Sequence, residues 1–109
     1  MNYQATWTRF FLRDLNAICG NAVCGDATEG QRTAAWYAAR ICDGLRDRDD
    51  YTYFDAQQDI AAHIEKRSAF RRAEYIEARE ILSAAFLAAS DGARAVQQHA
   101  RIMQGCWGR

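Results

Sequence analysis

Proline is absent from all 109 residues, so nothing in the chain imposes the missing N–H and ring clash that break helices. β-branched residues are scarce: two valines, seven isoleucines and five threonines do not furnish the strands of a sheet protein. Net charge is absent too, with 14 basic and 14 acidic groups, which argues against a nucleic-acid binder relying on a broad basic field. Lysine occurs once, at Lys66, against 13 arginines; a GC-rich coding sequence accounts for that ratio as well as a need for forked contacts does. No stretch reaches the ~18–20 apolar residues of a membrane span. Met1-Asn2-Tyr3-Gln4 lacks the charged and apolar regions of a signal peptide, so a cytoplasmic location is expected. Gly20, Gly25 and Gly30 are five apart and match neither the Walker nor the dinucleotide-binding pattern.

Alanine fills the space these absences leave, at 21 positions, and it is the best helix former. With half of the residues hydrophobic, the expectation is an all-α chain: one domain, residues 1–109, folded as a compact bundle of four to five helices. The first helix is expected from Ala5 to Cys19, because Trp7, Phe10, Phe11, Leu15 and Ile18 recur at the three- and four-residue steps of one helix face. Gly20 is expected to stop it, and Gly20–Ala27 to form a loop. Thr28 and Gln31 form a capping box opening the second helix, which runs through Ala34, Ala35, Trp36, Ala38, Ile41 and Cys42 and stops at Gly44. Thr52 with Asp55 opens the third, whose stripe is Ala56, Ile60 and Ile64. Ser68 suits the N-cap of a fourth helix over Ala69–Ala89, with Phe70, Ala73, Ile76, Leu82, Ala85 and Phe86 inward; whether three and four are continuous stays open. Ser90-Asp91-Gly92 reads as a turn before a fifth helix, Ala93–Gln104, resting on Val96, Ala100 and Met103 and ended by Gly105.

Chemistry-bearing residues are few. Asp55, Asp59 and His63 stand four apart on one helix face, a row that would suit a divalent metal or a base with its orienter. The plainer reading is a solvated face, since no second helix offers a matching ligand set. Cys19, Cys24 and Cys42 with His63 or His99 would make four zinc ligands, and Cys19 with Cys24 a disulfide. The spacing of these cysteines favours ordinary packing as free thiols, as for Cys106. Only two histidines are present to activate a nucleophile, so neither an enzyme nor a cofactor is expected.

Lys66, Arg67, Arg71, Arg72 and Arg79 cluster about the start of the fourth helix and are the candidate contacts for a helical DNA-binding regulator. Glu65, Glu74, Glu77 and Glu80 are interleaved with them, so a salt-bridged surface is the stronger reading. The better lead is Arg46-Asp47-Arg48-Asp49-Asp50-Tyr51-Thr52-Tyr53-Phe54, three aromatics directly after an alternating charge run. Tyrosine and arginine are the residue types enriched at interface hot spots. Arg46, Asp47, Arg48, Asp49, Asp50, Tyr51, Tyr53 and Phe54 are accordingly the candidate contacts for a protein partner, one with a basic surface given six aspartates between Asp43 and Asp59. Residues 1–60 carry −3 and residues 61–109 carry +3 by formal count, a dipole that also suits a homodimer. The expected function is that of a non-catalytic protein-binding module. Small neutral chains of phages and mobile elements often block a host complex in this way, as anti-CRISPR inhibitors do, although no motif here belongs to that class.

Overall fold

The structure, a computed structural model, describes residues 3–47, 51–66 and 69–107, and for 47, 69–70 and 104–107 the backbone only. These residues form four helices: α1 (Tyr3–Asn21), α2 (Glu29–Asp47), α3 (Tyr53–Lys66) and α4 (Ala69–Trp107). The class is all-α, and α3 and α4 are separate elements.

Both capping boxes form. Thr28 N–H donates to Gln31 Oε1 at 2.9 Å, and Gln31 N–H returns a bond to Thr28 Oγ1 at 3.0 Å. At α3, Thr52 N–H donates to Asp55 Oδ2 at 2.9 Å and Asp55 N–H to Thr52 Oγ1 at 3.3 Å. Each pair satisfies two of the backbone donors that a helix start leaves open.

Four expected stops do not occur. Gly20 lies inside α1, outside the left-handed region, and the chain turns only afterwards through Val23 N–H to Gly20 O and Cys24 N–H to Asn21 O. Gly44 is buried within α2, which continues to Asp47. Ser90-Asp91-Gly92 is not a turn: α4 passes straight through it, so the expected fourth and fifth helices are one of 39 residues that also passes Gly105. The reason is tertiary. Ser90 Oγ donates back to the Phe86 carbonyl at 3.1 Å and accepts Trp7 Nε1–H at 3.0 Å. Gly92 faces α1, where the Phe10 ring lies so close that an added Cβ would stand 3.1 Å from it. These residues are a helix–helix contact.

At about 1.5 Å per residue α4 runs some 58 Å and sets the long dimension of a molecule measuring 62 × 30 × 23 Å. The other three helices pack against α4, and α1 also packs on α2. Phe11, Leu15, Ile41, Ile60 and Leu82 are the largest side chains fully withdrawn from water, each contributing about 1.5–3 kcal/mol by the usual transfer scale. Alanines Ala34, Ala38, Ala56, Ala78 and Ala89 fill the crossings between them. The stripes of α1 and α3 lie as expected. On α2, however, Tyr37 takes the inward position and Trp36 stands 61% exposed, because neighbours on a helix point about 100° apart. On α4, Ala73 is exposed and Ile76 half-buried, and the inward row is Ala78, Leu82, Ala85, Ala89 and Ala93. Beyond Ala93 the helix outruns the bundle: Val96 is half-buried, while Ala100 and Met103, expected inward, are exposed. Phe70's side chain and Ser68 lie outside the described residues.

Candidate functional site: an aromatic groove

Four rings from α1 and α3 gather around Phe86 of α4. Tyr53 stacks on it at 4.3 Å between ring centres, Trp7 meets it edge-on at 5.2 Å, and Phe54 and Phe11 lie at 5.7 and 5.8 Å. Edge-to-face and offset arrangements let the positive ring edge meet the negative face, which adds to the gain from burial. Gln57 Nε2–H donates to the Tyr53 hydroxyl at 3.1 Å and to the Arg79 carbonyl at 3.3 Å, holding Tyr53 against α4.

The cluster does not close over itself. It floors a groove of about 330 Å³ bordered by Gln4 and Trp7 of α1, Ile41, Gly44 and Leu45 of α2, Tyr51–Phe54 at the start of α3, and Phe86 of α4. A second hollow of about 410 Å³, lined by Tyr3, Gln4, Trp7, Phe86 and Ser90, shares Gln4, Trp7 and Phe86 with it. Phe54 is 64% exposed and Leu45 39% exposed at its rim. Gly44, buried in α2, lines the groove beside Leu45 and Tyr51.

The segment expected to meet a partner thus enters the groove in part. Tyr51, Tyr53 and Phe54 all line it. Phe54 is the most exposed of the three, while both tyrosines are half-buried. Tyr51 donates its hydroxyl to Asp59 Oδ2 at 2.9 Å and lies under the Arg40 guanidinium, 4.4 Å from ring centre. Burial, with the Asp59 carboxylate second, pushes the Tyr51 phenol well above its ordinary value. Arg46 is exposed in the last turn of α2. Asp47 ends that helix, its side chain outside the described residues, as are Arg48, Asp49 and Asp50.

The other candidate sets come apart. Asp55 is taken up by the α3 cap and Asp59 by Tyr51, while the His63 ring stacks on Tyr75 at 4.6 Å. No group of three His, Cys, Asp or Glu side chains stands close enough to hold a metal ion among the described residues. Cys19, Cys24 and Cys42 are free thiols. Cys42 Sγ–H points to Asn16 Oδ1 at 3.9 Å and Cys19 Sγ–H to the Ala35 carbonyl at 3.6 Å, and desolvation pushes both thiols above their ordinary range. That disfavours the reactive thiolate. Cys106's side chain lies outside the described residues.

Lys66, Arg71, Arg72 and Arg79 are exposed near the start of α4, and Arg67 lies outside the described residues. Arg72 Nε–H donates to the Ile64 carbonyl at 2.9 Å, tying α4 to the end of α3. Two of the interleaved glutamates turn inward to α2: Glu77 accepts Thr28 Oγ1–H at 2.7 Å and Glu74 accepts Thr33 Oγ1–H at 2.9 Å. They act in part as helix–helix bonds and not only as surface countercharges.

Sequence reasoning missed Leu45, assigned to an irregular charged stretch, and missed that Trp7 and Phe86, assigned to the core, keep a solvent-facing side. Helical spacing from Ile41 through Leu45 was the available signal for the first. None marked the second, because one ring can serve both core and surface. Comparison of the chain with protein-family models, curated proteins and solved structures finds no match.

Proposed function

We propose that this chain works by binding another protein, seating an amphipathic helix of it in the aromatic groove. One observation carries the reading: Phe54 and Leu45 stand exposed at the rim of a groove floored by Trp7, Phe11, Tyr53 and Phe86. Exposed apolar side chains continuous with an apolar track are how helix-binding grooves present themselves, with aromatic anchors for residues spaced three and four apart. Between Asp43 and Asp59 the chain carries six aspartates against two arginines, so the bound helix is basic on its outer face. A chain of this size acting so blocks whatever its partner's helix otherwise contacts, without chemistry of its own.

The test uses helical peptides selected from a random library on the folded protein, titrated against the parent, Phe54→Ala and Leu45→Ala. Truncating a groove anchor weakens binding by about 1–3 kcal/mol. Peptides bound equally by all three proteins would refute the groove as the binding site.

A further inference from the structure

The geometry points to a second binding site, for a small flat heteroaromatic molecule of the nucleobase kind, in the hollow where α2, α3 and α4 come together. Among the described residues it shares no lining side chain with the aromatic groove.

Helix α2 packs only lightly on α3, while α4 packs on both, and a hollow of about 340 Å³ stays between the three. Cavities that take small molecules begin at about this size. Rings supply four of its six lining side chains: Trp36 and Tyr37 from α2, His63 from α3 and Tyr75 from α4. These rings are already held in place. His63 and Tyr75 stack at 4.6 Å between centres with their planes 15° apart, and buried Tyr37 meets Trp36 edge-on at 4.9 Å. Trp36 is the ring the fold does not account for. It stands 61% exposed, and the hydrophobic core is packed without it. A tryptophan offers a large contact area, roughly 150–250 Å² when covered.

The lining side chains select the guest. A ring face is matched by another ring face, because offset stacking adds to what burial alone gives, and a nucleobase on an aromatic side chain is a strong case of it. An aliphatic guest would gain the burial and forfeit the stacking. A cation would be drawn to the ring faces, but the Arg32 guanidinium lines the same hollow and repels it. The remaining two side chains, Arg32 and Thr33, are polar and fixed. Thr33 donates its hydroxyl to Glu74 Oε1 at 2.9 Å, and Arg32 Nη1–H donates to Glu29 Oε1 at 2.6 Å. A threonine oxygen that donates still has lone pairs to accept with, and a guanidinium carries five N–H groups. The edge of a flat guest therefore meets an acceptor and donors together. A heteroaromatic ring such as a nucleobase has both kinds of group along its edge and bare π-faces above and below.

Calorimetric titration and NMR of the Trp36 indole N–H, on the full chain, test this with adenine, indole, cyclohexanol and tetramethylammonium. Adenine should bind with a dissociation constant of about 0.01–1 mM and shift the Trp36 signal, which is assigned by its loss in Trp36→Leu. Indole has nearly the same shape with a single polar N–H, and should bind at least about threefold more weakly. Cyclohexanol and tetramethylammonium should bind more weakly than either. Trp36→Leu keeps an apolar side chain without the ring and should weaken adenine at least about fivefold; Phe54→Ala, in the separate groove, should leave adenine binding unchanged. Circular dichroism and the cooperative melt verify folding. Arg32→Met, at the half-exposed rim, is the second variant and should bring adenine down to the affinity of indole. A chain that does not bind adenine overturns the inference. So does cyclohexanol bound as tightly as indole, which marks an apolar hollow without stacking, or tetramethylammonium bound more tightly than adenine, which marks a cation cage. Adenine binding lost in Phe54→Ala but kept in Trp36→Leu overturns it as well, since the ligand then sits in the groove.

Discussion

Gly92→Ala is the sharpest test of how α4 is held together, because two opposing effects of similar size meet there. In a helix interior, glycine to alanine stabilises by about 0.5–1 kcal/mol, since glycine surrenders more backbone freedom on folding. The backbone at Gly92 allows this gain, as it lies outside the left-handed region. Against it stands the new Cβ, 3.1 Å from Phe10 Cδ2 and 3.3 Å from Cε2, so the ring must retreat by a few tenths of an ångström. Phe10 is half-buried with the Arg13 guanidinium 4.9 Å over its ring, and so has room to turn that a closed core denies. The overpacking term thus falls below the ~1–3 kcal/mol of well-packed interiors, at about 0.3–0.5 kcal/mol. The net is stabilisation of about 0–0.7 kcal/mol, a rise in Tm of up to about 4 °C for a domain of this size. Urea titration and calorimetry on the single variant and in a Phe10→Leu background separate the terms: relieving the contact should release the full helical gain. A loss of 1 kcal/mol or more that persists with Phe10→Leu would mean that the chain does turn at Ser90-Asp91-Gly92, and would refute the continuous helix.

Two further outcomes follow from the same contacts. Thr28→Ala removes the α2 cap and the bond to Glu77, so equilibrium unfolding should show a loss of about 1–2 kcal/mol, more than Thr52→Ala, whose hydroxyl serves only its own helix start in the contacts described. Tyr51 holds its proton more tightly folded than unfolded, so it contributes stability below the ordinary tyrosine range, and that contribution is lost as pH rises through and above it; Tyr51→Phe should flatten this alkaline decline in pH-resolved melts, and an unchanged slope would refute the burial of the Tyr51 hydroxyl together with its bond to Asp59.

Much of the fold was readable because the signals were local. The two capping boxes needed only residues three apart, and the α1 and α3 stripes only a helical period. Failures cluster where a residue's meaning depends on another helix. Ser90-Asp91-Gly92 has turn-like composition, but Trp7 and Phe10 of α1 make it a packing site. Trp36 and Tyr37 are equally apolar in sequence, and their order on α2 depends on which side α4 occupies. The candidate site divided in the same way. An aromatic segment at 51–54 was visible as a lead, while the groove around it was not, since its floor comes from positions 7, 11 and 86.

Residue composition and short-range spacing therefore determined that this chain is helical, where most helices begin, and which face of α1 and α3 is apolar. Those properties depend on backbone propensity and on neighbours within one turn. Tertiary structure alone decided where helices fail to stop, which of two adjacent aromatics enters the core, and that five rings distant in sequence converge without sealing. Glycine and serine break a helix in isolation by small free energies, about 1 kcal/mol or less, which one well-placed contact from another helix reverses.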